Sequence, residues 1–154
     1  MRAVGYQTSL PIEDPLSLQD IELPQPEAAG HDLLVKVEAV SVNPVDTKVR
    51  KRAQPEAGQW KVLGWDAVGT VEATGSEASR FRPGEQVFYA GALGRPGTDA
   101  EYHLVDARIV GKKPASLSVA EAAALPLTAI TAWEALFDRL EVKRPVPGVA
   151  NAIL

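Results

Sequence analysis

Cysteine is absent from the 154 residues of this sequence. Disulfide bonds, thiolate catalysis and cysteine-ligated zinc are therefore excluded. Histidine is scarce as well, because only His31 and His103 occur, one in a predicted turn and one in a predicted strand, without the spacing of metal ligands. The sequence thus offers few of the side chains from which most zinc sites are built.

An excess of positive charge is also lacking, since the formal net charge is −4. A chain without a basic field attracts phosphate backbones poorly, so we predict no nucleic-acid partner. No apolar run is long enough to span a bilayer, and residues 1–6 contain no long apolar run after their charge. We therefore predict no membrane segment and no signal peptide, and expect a cytoplasmic protein.

Most of the chain is predicted to form short strands. Prolines interrupt any helix in residues 1–32, and the clearest strand follows, with Leu33, Val35, Val37 and Ala39 on one face. Several short strands separated by turns are typical of a β-barrel or sandwich. The other predicted strands cover residues 16–18, 21–23, 64–73, 87–90, 100–105 and 108–112.

Helices are predicted mainly near the C-terminal end. Ser118 and Glu121 have the spacing of a capping box, which predicts a helix over 118–125. A second helix is predicted from apolar residues at helical spacing, with Trp133 and Phe137 expected in the core. Residues 46–50 could form one further helical turn, 145–148 are predicted to be a linker, and 151–154 to begin a strand.

Two stretches concentrate polar residues at predicted strand ends. Residues 41–50 run from a strand into an Asn-Pro turn, and residues 63–69 form a corner with glycines on both sides of Trp65 and Asp66. Pro44 fixes its own φ and favours extended geometry at Asn43, so the Asn43 side chain is held in place. Loops at strand ends are where a rigid sheet commonly presents functional side chains.

These stretches, with three later ones, resemble the medium-chain dehydrogenase/reductase superfamily and, within it, the zinc-independent quinone oxidoreductase branch. The matching motifs are N-P-V-D-T-x-x-R from Asn43, L-G-x-D-x-x-G from Leu63, and the segments 82–87, 100–102 and 121–133. They follow the family's order and spacing over nearly the whole chain.

The resemblance implies a mainly β, GroES-like, partly open β-barrel with two helices near the C-terminus. Residues 1–144 would form the substrate-side domain. Residues 145–154 would be a linker and first strand leading to an α/β Rossmann domain that binds the nucleotide. The glycines between 91 and 97 precede a predicted strand rather than a helix, so they do not predict a phosphate-binding loop.

The implied function is reduction of a quinone or conjugated carbonyl by hydride from NADPH, in a homodimer or other homo-oligomer. This chain alone is expected to be inactive. In the zinc alcohol dehydrogenases, the positions of Asn43 and Trp65 carry zinc ligands, so the resemblance predicts no zinc and no metal-binding residue here. The alternatives are a zinc-dependent alcohol dehydrogenase domain, which the missing ligands oppose, and a non-enzymatic co-chaperonin-like module, whose long mobile loop we do not find.

The resemblance also assigns catalytic and cofactor-binding residues. Asn43 would lie near the nicotinamide and the substrate carbonyl, or would only turn the chain before Pro44. Lys48 stands where many relatives have tyrosine, and it could donate a proton, pair with a phosphate or remain a solvated surface residue. Thr131 and Thr128 would contact the nicotinamide, although Thr131 could equally bond back to a helix carbonyl.

The remaining assignments concern the substrate. Trp65 would form an aromatic wall for a flat substrate, and Trp60 could line the same cleft. Asp66 is expected to be structural, and Arg50 is expected to be an ion-pair partner rather than a catalytic residue.

Overall fold

The computed structural model describes residues 1–140 and Val142. The predicted linker and final strand, and the end of the predicted first domain, lie outside the described residues. The elements are β1 (Arg2–Tyr6), β2 (Gln19–Glu22), β3 (Asp32–Ser41), α1 (Pro44–Arg52), β4 (Lys61–Val62), β5 (Asp66–Thr74), β6 (Gln86–Ala90), β7 (Tyr102–Asp106), β8 (Gly111–Lys112), α2 (Val119–Ala123) and α3 (Pro126–Trp133).

Two antiparallel sheets form the body of the molecule. One has the strand order β2-β1-β4 and the other the order β7-β3-β5-β6-β8. A bridge between Ala3 and Ala100 joins them, supported by a hydrogen bond from the Val4 N–H to the Asp99 carbonyl at 2.8 Å. The mainly β prediction is confirmed, and in the described part of the chain the strands do not close into a complete barrel.

The central strand β3 follows its predicted pattern as far as Val37, and the prediction that Ala39 shares this face was wrong. Leu33 and Val35 are fully buried and Val37 packs beside them. Beyond a β-bulge, Ala39 pairs with Val68 and packs on the other face of the sheet, against a second cluster that includes residues of α2. Burial of Leu33 and Val35, each contributing about 1.5–3 kcal/mol, fixes which face of this part of the sheet points inward. The main core cluster consists of Leu33, Val35, Ala67, Val71, Ala78, Phe81, Val87, Tyr89, Val105, Ala107 and Val110.

Helix α1 is longer than the single turn predicted for residues 46–50, since it spans Pro44–Arg52. Asn43 precedes it in extended geometry, with φ −120° and ψ 162°, and Pro44 occupies the first turn. Asp46 lies in the first turn and basic residues occupy the last, which suits the helix dipole at both ends. The apolar stripe of this mostly polar helix is narrow, and for that reason its full length could not be predicted from the sequence.

Two predicted strands are corrected. Residues 16–18 form a bend, because the Asp14 carboxylate accepts a hydrogen bond from the Leu16 N–H at 2.8 Å, and the strand begins only at Gln19. The segment 108–112 begins as part of a 3₁₀ helix over Ala107–Ile109, since Asp106 caps the Arg108 N–H, and only Gly111–Lys112 form a strand. Local side-chain hydrogen bonds override strand formation at both places.

The two C-terminal helices are present, but one expectation about them was wrong. The capping box is formed, with Ser118 and Glu121 exchanging hydrogen bonds at 2.9 and 3.3 Å at the start of α2. Helix α3 continues into a π-helical segment over Glu134–Arg139. Trp133 and Phe137, expected in the core, are 64% and 37% exposed and contact each other at 4.6 Å between ring centroids. Their helical spacing gives them a common face, but the described sheets do not cover it.

None of the helices in the described part of the chain combines the length and the apolar character needed to cross a lipid bilayer.

A buried imidazole on β7 contacts β6 and the loop before β7. The His103 ring stacks on the Tyr89 ring, with 5.6 Å between the ring centroids. Its Nδ1 accepts a hydrogen bond from the Tyr89 hydroxyl at 3.1 Å, and its Nε2–H donates to the Pro96 carbonyl at 3.0 Å. This pattern belongs to the neutral ring. Burial lowers the pKa of His103 to about 4, although the bond to Pro96 acts in the opposite direction.

Acidification should therefore destabilise the fold through His103. The ordinary pKa is 6.5 and the folded-state value is about 4, so the unfolded chain takes up the proton more readily between these values. Between pH 7 and pH 5 the free energy of unfolding of the wild-type chain should fall by on the order of 1–2 kcal/mol more than that of His103→Gln. Urea denaturation at both pH values measures this difference.

His31→Gln is the control, because its ring lies at the surface beside Glu77. Equal acid sensitivity of the wild-type chain and His103→Gln would show that the ring is not buried in its neutral form.

Candidate functional site

The corner at the start of β5 is built on a buried carboxylate. Asp66 has no solvent exposure, and each of its side-chain oxygens accepts one hydrogen bond. Asn43 Nδ2 donates to Oδ2 at 2.9 Å, and the Leu127 N–H donates to Oδ1 at 2.8 Å. The same amide of Asn43 donates to the Ser41 carbonyl at 3.4 Å. Asp66 thus joins the Asn-Pro turn, β5 and the first turn of α3.

A second buried carboxylate holds the neighbouring segments. Asp46 accepts from the Asn43 N–H at 2.7 Å and from the Gly64 N–H at 3.1 Å. Gly64 has φ +95°, and a Cβ there would lie 2.4 Å from Thr98 Oγ1, so only glycine fits this turn without strain. The two residues therefore fix the approach of the chain to Trp65 and Asp66.

Burial sets the electrostatics of this corner. It raises the pKa of the Asp66 carboxyl, the hydrogen bonds from Asn43 and Leu127 oppose this effect, and the charge of Asp46 adds to it. Asp99 lies beside Gly64, and burial together with the charge of Asp46 raises its pKa to about 6. The hydrogen bonds that Asn43 and Leu127 donate to Asp66 offset part of the free-energy cost of burying its negative charge.

An apolar cleft of about 360 Å³ opens beside this corner. Trp65 forms one wall, is only 4% exposed and belongs to a buried cluster with Tyr6 and Leu63. Its Nε1–H is buried and has no hydrogen-bond partner among the described residues. The cleft is lined by Val45, Trp65, Ala90, Gly91, Leu93, Ile109, Leu127, Ile130 and Thr131.

The cleft brings together two of the residues predicted from sequence, Trp65 and Thr131. The Thr131 hydroxyl donates to the Leu127 carbonyl at 2.8 Å, the back-bonding alternative considered for it, and its oxygen can still accept from a ligand. Asn43 does not line the cleft. It is buried and reaches the cleft only through Asp66 and Leu127.

The other predicted site residues lie away from the cleft. Lys48 is exposed on α1, and Trp60 is half-buried just before β4. Thr128 is exposed, and its hydroxyl donates to the carbonyls of Ala124 and Leu125, both at 3.0 Å. None of the three appears among the residues that line the cleft.

The expectation that Arg50 forms an ion pair was wrong for the described part of the chain. Its guanidinium is buried and donates from Nη1 to the Leu10 carbonyl at 2.9 Å, while the Arg50 carbonyl accepts from the Ser9 hydroxyl at 2.6 Å. A backbone carbonyl can replace a carboxylate as the acceptor for a buried guanidinium, and sequence alone does not reveal that choice.

Sequence reasoning missed the apolar residues that shape the cleft. Leu93, Ile109 and Ile130 come from a loop, a 3₁₀ helix and α3, and no shared motif connects them. A second apolar cavity, of about 400 Å³, lies near His103 and Pro96, and no predicted site residue lines it. The cleft beside Trp65 is therefore the candidate functional site, because it is the one of these two cavities that is lined by predicted site residues, Trp65 and Thr131.

The donor set around the corner does not fit zinc. Asn43 and Trp65 occupy the two positions where zinc ligands were considered, and an indole is not a zinc ligand. Across residues 1–140 and Val142, no group of three or more His, Cys, Asp or Glu side chains lies close enough together to hold a metal ion.

Comparison with known proteins places this geometry in context. Residues 29–115 match the alcohol dehydrogenase GroES-like domain family. The whole chain is 42% identical to a zinc-type alcohol dehydrogenase-like protein of Staphylococcus epidermidis and covers 46% of it. The chain thus spans less than half the length of that relative.

Two solved structures share the fold. A Rhizobium etli CFN 42 protein, provisionally described as a zinc-dependent alcohol dehydrogenase, is 64% identical with a TM-score of 0.91, over 97% of this chain and 44% of that one. The Escherichia coli quinone oxidoreductase, solved with NADPH, is 27% identical with a TM-score of 0.75, over 88% of this chain and 40% of that one.

The carboxylate corner predicts a second pH effect, opposite in sign to that of His103. Because the pKa of Asp99 rises from 3.8 to about 6 on folding, the folded chain holds the proton more tightly between these values. Asp99 should therefore reduce stability as the pH rises from about 4 to about 6. The free energy of unfolding of Asp99→Asn, minus that of the wild-type chain, should therefore be larger at pH 7 than at pH 4. Urea denaturation of both proteins at the two pH values measures this difference.

Asp138→Asn, an exposed aspartate in the π-helical segment, is the control. If Asp99→Asn shows the same pH dependence as Asp138→Asn, the carboxylate of Asp99 does not titrate in a buried environment.

Proposed function

The chain belongs to the alcohol dehydrogenase GroES-like domain family, within the medium-chain dehydrogenase/reductase superfamily, and we propose that it forms the substrate-side domain of an NADPH-dependent reductase of quinones or conjugated carbonyls. The enzyme class rests on the family. The specific reaction is our proposal, because both alcohol dehydrogenase-like and quinone oxidoreductase proteins are among its relatives.

The cleft beside Trp65 is the observation that supports this proposal most strongly. It is almost wholly apolar, has an aromatic wall, and is large enough for one small flat ring system. A quinone or an enone fits that chemistry, since most of its surface is apolar. A small hydrophilic alcohol would leave most of the apolar lining uncovered.

Within the cleft, each residue of this chain has a limited task. A bound NADPH would supply the hydride. Thr131 would accept a hydrogen bond from the carboxamide of the nicotinamide, because its own proton is already donated to Leu127. Trp65, Leu93 and Ile130 would exclude water and keep a flat substrate against the aromatic wall.

The polar residues near the cleft have different proposed roles. Asn43 was expected to donate to a substrate oxygen, but its amide nitrogen already donates to Asp66 and Ser41, so direct donation requires the loss of one of these bonds. Lys48 is exposed on α1 and does not line the cleft, so as a proton donor it would act through bridging water. Trp60 and Thr128 would contribute only at the periphery.

Most contacts to the dinucleotide would come from residues outside this chain. A pyrophosphate is usually held by backbone N–H groups at a glycine-rich turn before a helix. The glycines at 91, 94 and 97 precede β7 and not a helix. Relatives that are about twice as long have room for a separate nucleotide-binding domain.

Zinc-dependent alcohol oxidation is the alternative that the relatives' names suggest. The donor set described above opposes it, since Asn43 and Trp65 stand at the two ligand positions. We propose that the protein functions without zinc.

A chimera tests the proposal. It joins residues 1–154 of this chain to the remainder of the Rhizobium etli protein, in place of the matching segment. We expect NADPH-dependent reduction of a small quinone or enone. Thr131→Val should lower kcat/KM by about tenfold or more, because a hydrogen bond to the cofactor is lost. Stopped-flow or steady-state absorbance of NADPH measures the rate.

Thr47→Val is the matched control, since Thr47 is an exposed helical threonine that bonds back to the Pro44 carbonyl and lies off the cleft. Treatment with a chelator should leave the rate unchanged. Loss of activity with the chelator and recovery with zinc would favour the alternative reaction. Equal effects of the two threonine substitutions would remove Thr131 from the site.

A further inference from the structure

Asp66 links parts of the chain that are far apart in sequence. Its two donors, Asn43 and Leu127, lie 23 and 61 residues away along the chain. One comes from the Asn-Pro turn that begins α1, and the other from the first turn of α3. A single carboxylate therefore sets the distance between these two helix starts.

The bonding of Asp66 makes this link hard to replace. Both oxygens are buried and each faces an N–H donor, so the site requires a group with two acceptors. The Leu127 N–H belongs to the first turn of α3, where N–H groups lack a partner within the helix and the helix dipole favours a negative charge. An amide side chain at this position would turn an NH₂ group toward one of the two donors.

Helix α3 forms one side of the cleft. Leu127, Ile130 and Thr131 all line it, as does Trp65, which precedes Asp66 in sequence. A shift of the first turn of α3 would move the three α3 residues together relative to the indole. The position of Thr131 against Trp65 thus depends on the bond between Asp66 and the Leu127 N–H.

We propose that Asp66 is a positioning residue of the cleft: by accepting from Asn43 and Leu127, it holds Thr131 and Ile130 at their working distance from Trp65. This proposal rests on the proposed function. It differs from the sequence-based assignment, because the residue that controls the geometry is the aspartate, while Asn43 acts as one of its two donors.

Asp66→Asn tests the proposal, with Asp46→Asn as the matched control. Asp46 is also a buried carboxylate that accepts two N–H bonds at the same corner, but neither donor belongs to α3. Amide NMR of the 154-residue chain reads the geometry without reference to catalysis. Asp66→Asn should shift the side-chain NH₂ resonances of Asn43 and the backbone amides of Ile130 and Thr131, while Asp46→Asn should leave the α3 amides in place.

Kinetics of the chimera give the second readout. Asp66→Asn should lower kcat/KM by up to about 10²-fold, the order expected when reacting groups are displaced by roughly 1 Å. If Asp66 acts by placing Thr131, the double variant with Thr131→Val should lose less than the product of the two single losses. Asp46→Asn combined with Thr131→Val should give the product, as independent changes do.

Each outcome decides a different point. Unshifted α3 amides in Asp66→Asn, or losses that multiply in the double variant, would overturn the positioning role. If the chimera reduces no quinone or enone, the proposed function fails, and the NMR comparison alone decides whether Asp66 holds α3. Should Asp66→Asn not fold, Asp66→Glu retains the charge but adds a methylene, and it should shift the same amides in a folded protein.

Discussion

The hydrogen bonds that converge on the Asp66 carboxylate are the interaction on which the rest of the site depends. They join a turn, a strand end and a helix start within one buried group. A buried charge is tolerated only where hydrogen-bond donors surround it. The bonds that hold the three segments together therefore also offset the desolvation cost of the Asp66 carboxylate. Trp65, Leu127 and Thr131 take their places around this carboxylate.

The sheets serve as the frame for that corner. Strands β3 and β5 pair along most of their length and end together, with Ser41 opposite Asp66 in the register. This common end places the Asn-Pro turn and the 63–66 segment side by side, as expected for functional loops on a rigid scaffold. The 64% identity and TM-score of 0.91 with the Rhizobium etli structure agree with a framework that the family shares.

The sequence predicted the features that depend on local patterns. Alternation along Leu33 to Ala39 gave the central strand, and the Ser118 and Glu121 pair gave the start of α2. Features that depend on distant contacts were out of reach. The bond from Leu127 to Asp66 spans 61 residues, and the acceptor of Arg50 is a backbone carbonyl. Trp133 and Phe137 show a third limit, because helical spacing defines a face without stating what covers it.

The central claim is that the Asp66 carboxylate holds the first turn of α3, and amide hydrogen exchange at Leu127 tests it most directly. An N–H in the first turn of a helix has no helical partner and normally exchanges rapidly. Leu127 should be protected in the wild-type chain by on the order of tenfold or more, since its acceptor is a buried carboxylate. Exchange of Leu127 at the rate of an exposed amide, in a chain whose β3 amides remain protected, would contradict it.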